Sequence, residues 1–290
     1  MTDRNINILF CFNNYISGAT VTADTEADET EMPVENMKNV NRDLIWRSES
    51  EETDGITSVI EIDMIDPIET PVSMLAFWDL SISSEGTIRV QSWSDGFGGS
   101  EAGVDFTSDP YAFFSGYGVG GYGAGGYGGG VPKTLVEATN PAIVMLLGDY
   151  REERYWRITL TDPASRYLQA SHIYLGDHWQ PQHNISRGFG RELETRTGLI
   201  ESVGGQEYGD DRDPRLIMEG VLRNLDVQDA DHLWQNFLQF KKNTPFTVCA
   251  KFNNSLEQLF TAKPVRFDSC SVTQEHNDNY TVPLVLKEWL

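Results

Sequence analysis

SVIEIDM at residues 58–64, VSMLAFW at 72–78, TIRVQSW at 87–93 and YWRITL at 155–160 are short runs rich in β-branched and aromatic residues. In most of them apolar and polar side chains alternate. A period of two sends successive side chains to opposite faces of an extended chain, so each run reads as a strand with one face turned inward. Runs at 142–147 and 172–175 continue the series, and the turn-forming steps Asp66-Pro67, Glu85-Gly86, Gly148-Asp149 and Asp162-Pro163 separate its members. Short strands punctuated in this way predict a β-sandwich or barrel over residues 1–180. A further strand is expected at 6–15, ended by Asn13, Asn14 and Ser17-Gly18.

Near residues 176–190 the text changes to a mixture of Pro, Gly, Asn and His, which marks a domain boundary. Beyond it, strands are expected at 192–202, 215–222, 246–252, 265–272 and 280–288. The chain's one convincing helix falls at 227–240. There Ala230, Leu233, Trp234, Phe237 and Leu238 follow three-four spacing, with Asp226, Asp229 and Asp231 at the N-terminal end and Lys241-Lys242 at the C-terminal end, matching the helix dipole. Trp234 and Phe237 are expected to be buried against the strands. Residues 181–290 thus form a β-rich α+β domain with one main helix, and the whole chain is mainly β.

Composition removes several classes of partner. The formal charge of −22 comes from 44 acids against 22 bases. Such a surface repels a phosphate backbone, so nucleic acid is not expected. No stretch approaches the roughly 18 apolar residues that span a bilayer, and the opening residues MTDRNINILFCFNNY lack the pattern of a secretory signal. The expectation is a chain made in a cytoplasm. Cys11, Cys249 and Cys270 form no CxxC pair and sit in β-like contexts, so they read as reduced core or strand residues.

A search for catalytic chemistry finds none of its signatures. GxSxG, HExxH, a Walker A loop and Cys/His zinc spacing are all missing from the sequence. His172, His178 and His183 lie within twelve residues, but a strand-to-linker passage does not force them to converge on one ion; they read as hydrogen-bonding groups at a domain junction. EYGDDRDP at 207–214 lacks the order of a calcium loop and reads as a solvated turn. No catalytic residue, metal ligand or cofactor is assigned, and the chain is read as a non-enzyme.

Two segments stand out by composition. Residues 22–35 form an acidic loop, with six acids and no base between Asp24 and Glu35. Residues 96–130 hold 14 of the 26 glycines and read as a loop inserted in the first domain. Tyr111, Phe113, Phe114, Tyr117, Tyr122 and Tyr127 sit in or beside its densest part. Aromatic rings on a glycine backbone suit adaptable contact surfaces, so these six are the candidate subunit-contact residues. The same rings could instead fold back on their own domain or stack on a glycan.

Two resemblances extend this reading. Glu35-Asn36 and Asn39 leading to Asp43-Leu44-Ile45-Trp46-Arg47-Ser48, then SVIEIDM, and finally RYWRITL before HIYLG, resemble the discoidin-like or galactose-binding-like β-sandwich. In that pattern a leading segment ends in Trp-x-Ser, an Ile-x-Ile-Asp strand follows, and an aromatic-Trp-Arg strand comes late. The match spans residues 6–175, and the glycine-rich insert departs from it. Residues 192–290, with a Gly-Gly turn, an apolar strand, a short helix and a Pro-Phe strand, look like the tail proteins of long-tailed bacteriophages. That resemblance implies a structural virion protein of the tail or baseplate, made in the bacterial host. Its implied partners are other tail proteins and copies of itself, in a ring-type homo-oligomer. The alternative is a carbohydrate- or host-receptor-binding module without catalysis, whose partner is a host glycan.

Overall fold

The computed structural model describes residues 8–65, 72–83, 85–99, 103–108, 142–186, 188–196, 198–201, 206–210, 212, 214–240, 242–250, 261–276 and 279–290. The chain is mainly β and divides into two compact units. One comprises Leu9–Trp179 with Cys249–Ala262, the other Gln180–Val248 with Lys263–Leu290.

The first unit carries β1 (Leu9–Cys11), β2 (Thr20–Ala23), β3 (Trp46–Arg47), β4 (Ile56–Asp63), β5 (Val72–Trp78), β6 (Thr87–Trp93), β7 (Val104–Ser108), β8 (Ile143–Arg151), β9 (Tyr155–Asp162), β10 (Gln169–Ala170) and β11 (His172–Gly176). A five-stranded sheet has the order β2-β4-β9-β6-β7 and a three-stranded sheet the order β11-β5-β8, with β3 and β10 as a short extra pair. β9 is the hub of the larger sheet. It pairs antiparallel with β4 from Ile56 opposite Asp162 to Asp63 opposite Tyr155, and with β6 from Thr87 opposite Thr161 to Trp93 opposite Tyr155.

Alternation then dictates which side chains turn inward. Ile60 and Ile62, Ile88 and Val90, and Trp156, Ile158 and Leu160 meet Leu75 and Phe77, Met145 and Leu147, and Ile173 and Leu175 of the smaller sheet in one shared core. Two sheets closed over one core make this unit a β-sandwich. β5 does not alternate because both of its faces are covered. Leu75 and Phe77 enter the shared core, while on the other side the Cys11 thiol lies 3.0 Å from Met74 Sδ and the ring of His172 packs 4.3 Å from that of Trp78.

The strand expected at 6–15 is cut to Leu9–Cys11, and Tyr15–Gly18 is a 3-10 turn. Asn14 causes the break. Its Oδ1 accepts from Ile16 N at 3.2 Å and Leu175 N at 3.1 Å, and its Nδ2 donates to Ile173 O at 3.0 Å, so the side chain takes over bonds a ladder would supply. The glycine-rich stretch is not loop throughout, since β7 lies inside it and pairs with β6. VDFTS carries no glycine and alternates, and the glycine count around it hid that. In the acidic segment, Asp24 Oδ1 accepts from Val59 N, Glu26 Oε1 from Val34 N, and Asp28 Oδ1 from the amides of Thr30 and Glu31. These carboxylates give the loop a defined path while most of its residues stay exposed.

The second unit contains β12 (Gly190–Glu194), β13 (Gly198–Glu201), β14 (Glu207–Asp210), β15 (Arg215–Leu225), helix α1 (Val227–Phe240), β16 (Phe246–Cys249), β17 (Ala262–Cys270), β18 (Thr273–His276) and β19 (Asn279–Glu288). Its sheet runs β16-β17-β19-β15-β12 with β18 on β19, and β13-β14 is a separate hairpin. The solvated turn expected at 207–214 is thus partly strand, because Glu207–Asp210 pairs with Gly198–Glu201.

The register fixes the two faces of this sheet. Leu193 stands opposite Leu216, Met218 opposite Leu286, and Leu286 opposite Phe267, so all of these project to one face. Helix α1 covers that face with Ala230, Leu233 and Phe240 buried, and Phe237 meets Phe267 edge-on at 5.5 Å.

Gly176 marks the tightest backbone approach in the sandwich. A Cβ placed there would lie 1.8 Å from the Asn13 carbonyl oxygen, a backbone atom that cannot swing aside. Gly176→Ala is therefore expected to destabilise the chain by about 2 kcal/mol or more in urea unfolding. An unchanged midpoint would show that residues 13–14 do not need their contact with β11.

Candidate functional site

Helix α1 presents more apolar surface than its sheet covers. Val227, Trp234 and Leu238 are 44%, 41% and 52% exposed. At about 100° per residue, their spacing of seven and four brings them within about 40° of one another, forming a stripe along the helix. The expected burial of Trp234 is therefore wrong, and Phe237 is only half-buried. Three-four spacing was read as one buried face, but the apolar arc is wider than the sheet can cover. The surplus lies on the outer side, where Trp234 stacks on Phe237 at 5.8 Å.

The sheet has a matching surplus. Leu193 on edge strand β12 points to the helix-bearing face, yet it is 65% exposed. Scattered surface leucines need no explanation, but a Trp-Leu-Val stripe on a helix together with an exposed leucine on the same layer is a contiguous apolar feature that calls for one.

The three clustered histidines are divided between the two units, His172 and His178 in the sandwich and His183 in the second. His172 is buried, with Nδ1 hydrogen-bonded to Asn39 O at 2.9 Å and Nε2 facing Asn14 Nδ2 at 3.0 Å. The amide must donate, so Nε2 carries no proton and the ring is neutral. Burial pulls its pKa down to about 4. His178 Nδ1 lies 2.7 Å from Ser73 Oγ, and His183 belongs to the second unit. Among the described residues, no group of three His, Cys, Asp or Glu side chains is placed to hold a metal ion.

Next to His172, Asp79 adopts φ 55, a left-handed conformation that costs a non-glycine residue about 1 kcal/mol or more. It is held by ion-paired hydrogen bonds from Arg42 and by the Ser171 hydroxyl. At the end of β9, burial disfavours the Asp162 carboxylate, but bonds from the amide and hydroxyl of Ser83, at 2.6 Å each, and from Ala164 N outweigh it, and its pKa falls. Both aspartates fasten loops.

The outer face of the five-stranded sheet is closed by charge and aromatic pairing. Arg157 bonds Glu61 at 2.6 and 2.9 Å and lies over the rings of Trp93 and Phe97, while Arg154 bonds Asp63 and covers Tyr155. Sequence reasoning did not assign these residues. Tyr167 is partly exposed, with the Arg47 guanidinium 3.8 Å above its ring and the Arg166–Asp54 pair next in the chain. Tyr111, Phe113, Phe114, Tyr117, Tyr122 and Tyr127, the candidate contact residues, lie outside the described residues.

No protein-family model matches the sequence, and no curated protein matches it. Solved structures with partial similarity include a chitosan-binding module from a chitosanase/glucanase of Paenibacillus sp. IK-5, at 14% identity over 57% of this chain and 99% of that one, TM-score 0.38. Another is the module CBM32-3 from a family 31 glycoside hydrolase of Clostridium perfringens, at 15% identity over 57% and 96%, TM-score 0.37. A third is a chain in the virion of a native gene transfer agent particle, at 20% identity over 37% and 92%, TM-score 0.27.

The buried neutral His172 makes a pH prediction. Its folded pKa of about 4 lies below the ordinary value of 6.5, so between these pH values the unfolded chain takes up a proton that the folded chain refuses. Stability should fall as pH drops through this window, with His172 contributing about 3 kcal/mol of the loss. Unfolding free energies measured at pH 7.5 and 4.5 should show a smaller loss for His172→Gln than for the parent chain. An equal loss in both would place the acid sensitivity elsewhere.

Proposed function

We propose that this chain is a non-catalytic structural protein that assembles with other protein subunits, as a component of a bacteriophage tail or baseplate. One observation carries the reading: the exposed Val227, Trp234 and Leu238 stripe on α1, with Leu193 uncovered on the same layer. These side chains are already about half covered, so enclosing the remainder would gain about half of the 1.5–3 kcal/mol that full burial of such a side chain contributes, and a partner surface would supply that enclosure. The sandwich serves as a rigid platform, with its core filled and its outer sheet face closed by ion pairs.

A second reading, a carbohydrate- or receptor-binding module, is favoured by Tyr167. It is an exposed ring with the Arg47 guanidinium 3.8 Å above it, an aromatic surface beside a polar group of the kind on which sugars stack.

Replacing Trp234 and Leu238 with Asp and Ser separates the two. Their partial exposure predicts a loss of only about 1–2 kcal/mol in unfolding free energy, much of it from the Trp234–Phe237 stack, together with loss of higher-order species in light scattering or of incorporation into particles. Normal assembly by this variant would remove the docking reading. Glycan-array binding by the parent chain that disappears in Tyr167→Ala would establish the second reading instead.

A further inference from the structure

Strands β13 and β14 make a sheet of their own. They pair antiparallel from Gly198 opposite Asp210 to Glu201 opposite Glu207, and among the described residues neither hydrogen-bonds to a strand of the larger sheet. Each strand of such a hairpin keeps one row of amides and carbonyls without a ladder partner. A hairpin this short is marginally stable in water by itself, and a further strand beside it is what makes the unit stable.

The larger sheet of the same unit ends on an open side. β12 is the last strand in its order and pairs with β15 alone among the described residues. Leu193 shows where the layer stops. It projects to the face that α1 covers, yet it is 65% exposed, as a side chain with no strand beyond it would be.

An open edge and an unsupported hairpin are complementary in backbone chemistry, and every copy of the chain carries one of each. Within one copy β13 takes β14 as its partner and not β12, so the edge of β12 is left for a strand from elsewhere. The lengths agree, with five residues in β12 and four in β13. Charge selects which strand of the hairpin is added. β12, GRELE, brings Glu192 and Glu194, while β13, GLIE, carries a single acid at its end and β14, EYGD, has one at each end. Like charges set opposite one another destabilise a strand pair, which favours β13.

We infer that the β13–β14 hairpin of one molecule adds through β13 to the β12 edge of a second copy and continues that copy's sheet. Main-chain hydrogen bonds supply the contact, and the added strand extends the layer past Leu193. Donor and acceptor are different parts of the chain, so the contact is heterologous and repeats head to tail, closing into a ring or growing as a filament according to its rotation. The inference rests on the assembly reading and adds to it a contact distinct from the exposed side of α1.

Two variants each remove one half of the contact. Excising residues 198–210 behind a short glycine bridge takes away the hairpin, which shares no ladder with the larger sheet. Proline in β12 blocks the edge. Successive residues of an antiparallel strand turn their N–H groups to opposite sides, so of Glu192→Pro and Leu193→Pro one loses an outward N–H and keeps the parent's unfolding midpoint, and that one is used. In sedimentation velocity the parent chain should self-associate, and each variant alone should be monomeric. Mixed together, the hairpin-less chain still offers an edge and the proline chain still offers a hairpin, so the mixture should form one-to-one dimers and nothing larger. Self-association that survives both changes, or a mixture without dimers, would overturn the contact. If that surviving association is lost when Trp234 and Leu238 are replaced with Asp and Ser, the assembly reading stands without it. A parent chain that stays monomeric at every concentration would overturn the contact as well, and incorporation into particles would then decide the assembly reading separately.

Discussion

The inward projection of Trp156, Ile158 and Leu160 from β9 is the constraint on which the sandwich depends. β9 pairs on both sides, so a slip of one residue would send these side chains to solvent and bring Tyr155, Arg157 and Thr159 into the core. Each fully buried apolar side chain contributes about 1.5–3 kcal/mol, and burying an unpaired arginine would cost several, which holds the register from both directions. With β9 fixed, Glu61 and Asp63 on β4 fall within reach of Arg157 and Arg154, and the outer face closes itself. His172 and Asn14 add a second layer of fastening by tying residues 13–16 and 39 to β11.

The second unit obeys the same alternation with a different result. Its sheet has one face under α1 and another that mixes charges of both signs, Arg215, Arg266 and Lys287 beside Glu192, Glu194 and Glu219. The outer side of the helix keeps an apolar stripe in water, and covering such a stripe gains from excluding water.

Much of the fold was legible because period-two alternation survives wherever a strand has one wet face. β5, β6 and α1 were read at their observed bounds. β7 was not, because glycine-rich neighbours masked five residues that alternate. The expected strand at 192–202 spans both β12 and β13, and β14 falls within the expected turn at 207–214. The site was harder to read. Three-four spacing revealed that Trp234 and Phe237 share a helix side, but only the width of the sheet determines that one is half-covered and the other exposed.

If the exposed side of α1 docks a partner protein, photo-cross-linking from Trp234 reads that contact most directly. A benzoylphenylalanine introduced at position 234 of the full chain, irradiated in the assembled material and analysed by mass spectrometry, should join α1 to a second polypeptide, either another copy or a neighbouring subunit. Cross-links confined to the same chain, with position 234 still open to solvent in the assembly, would contradict it.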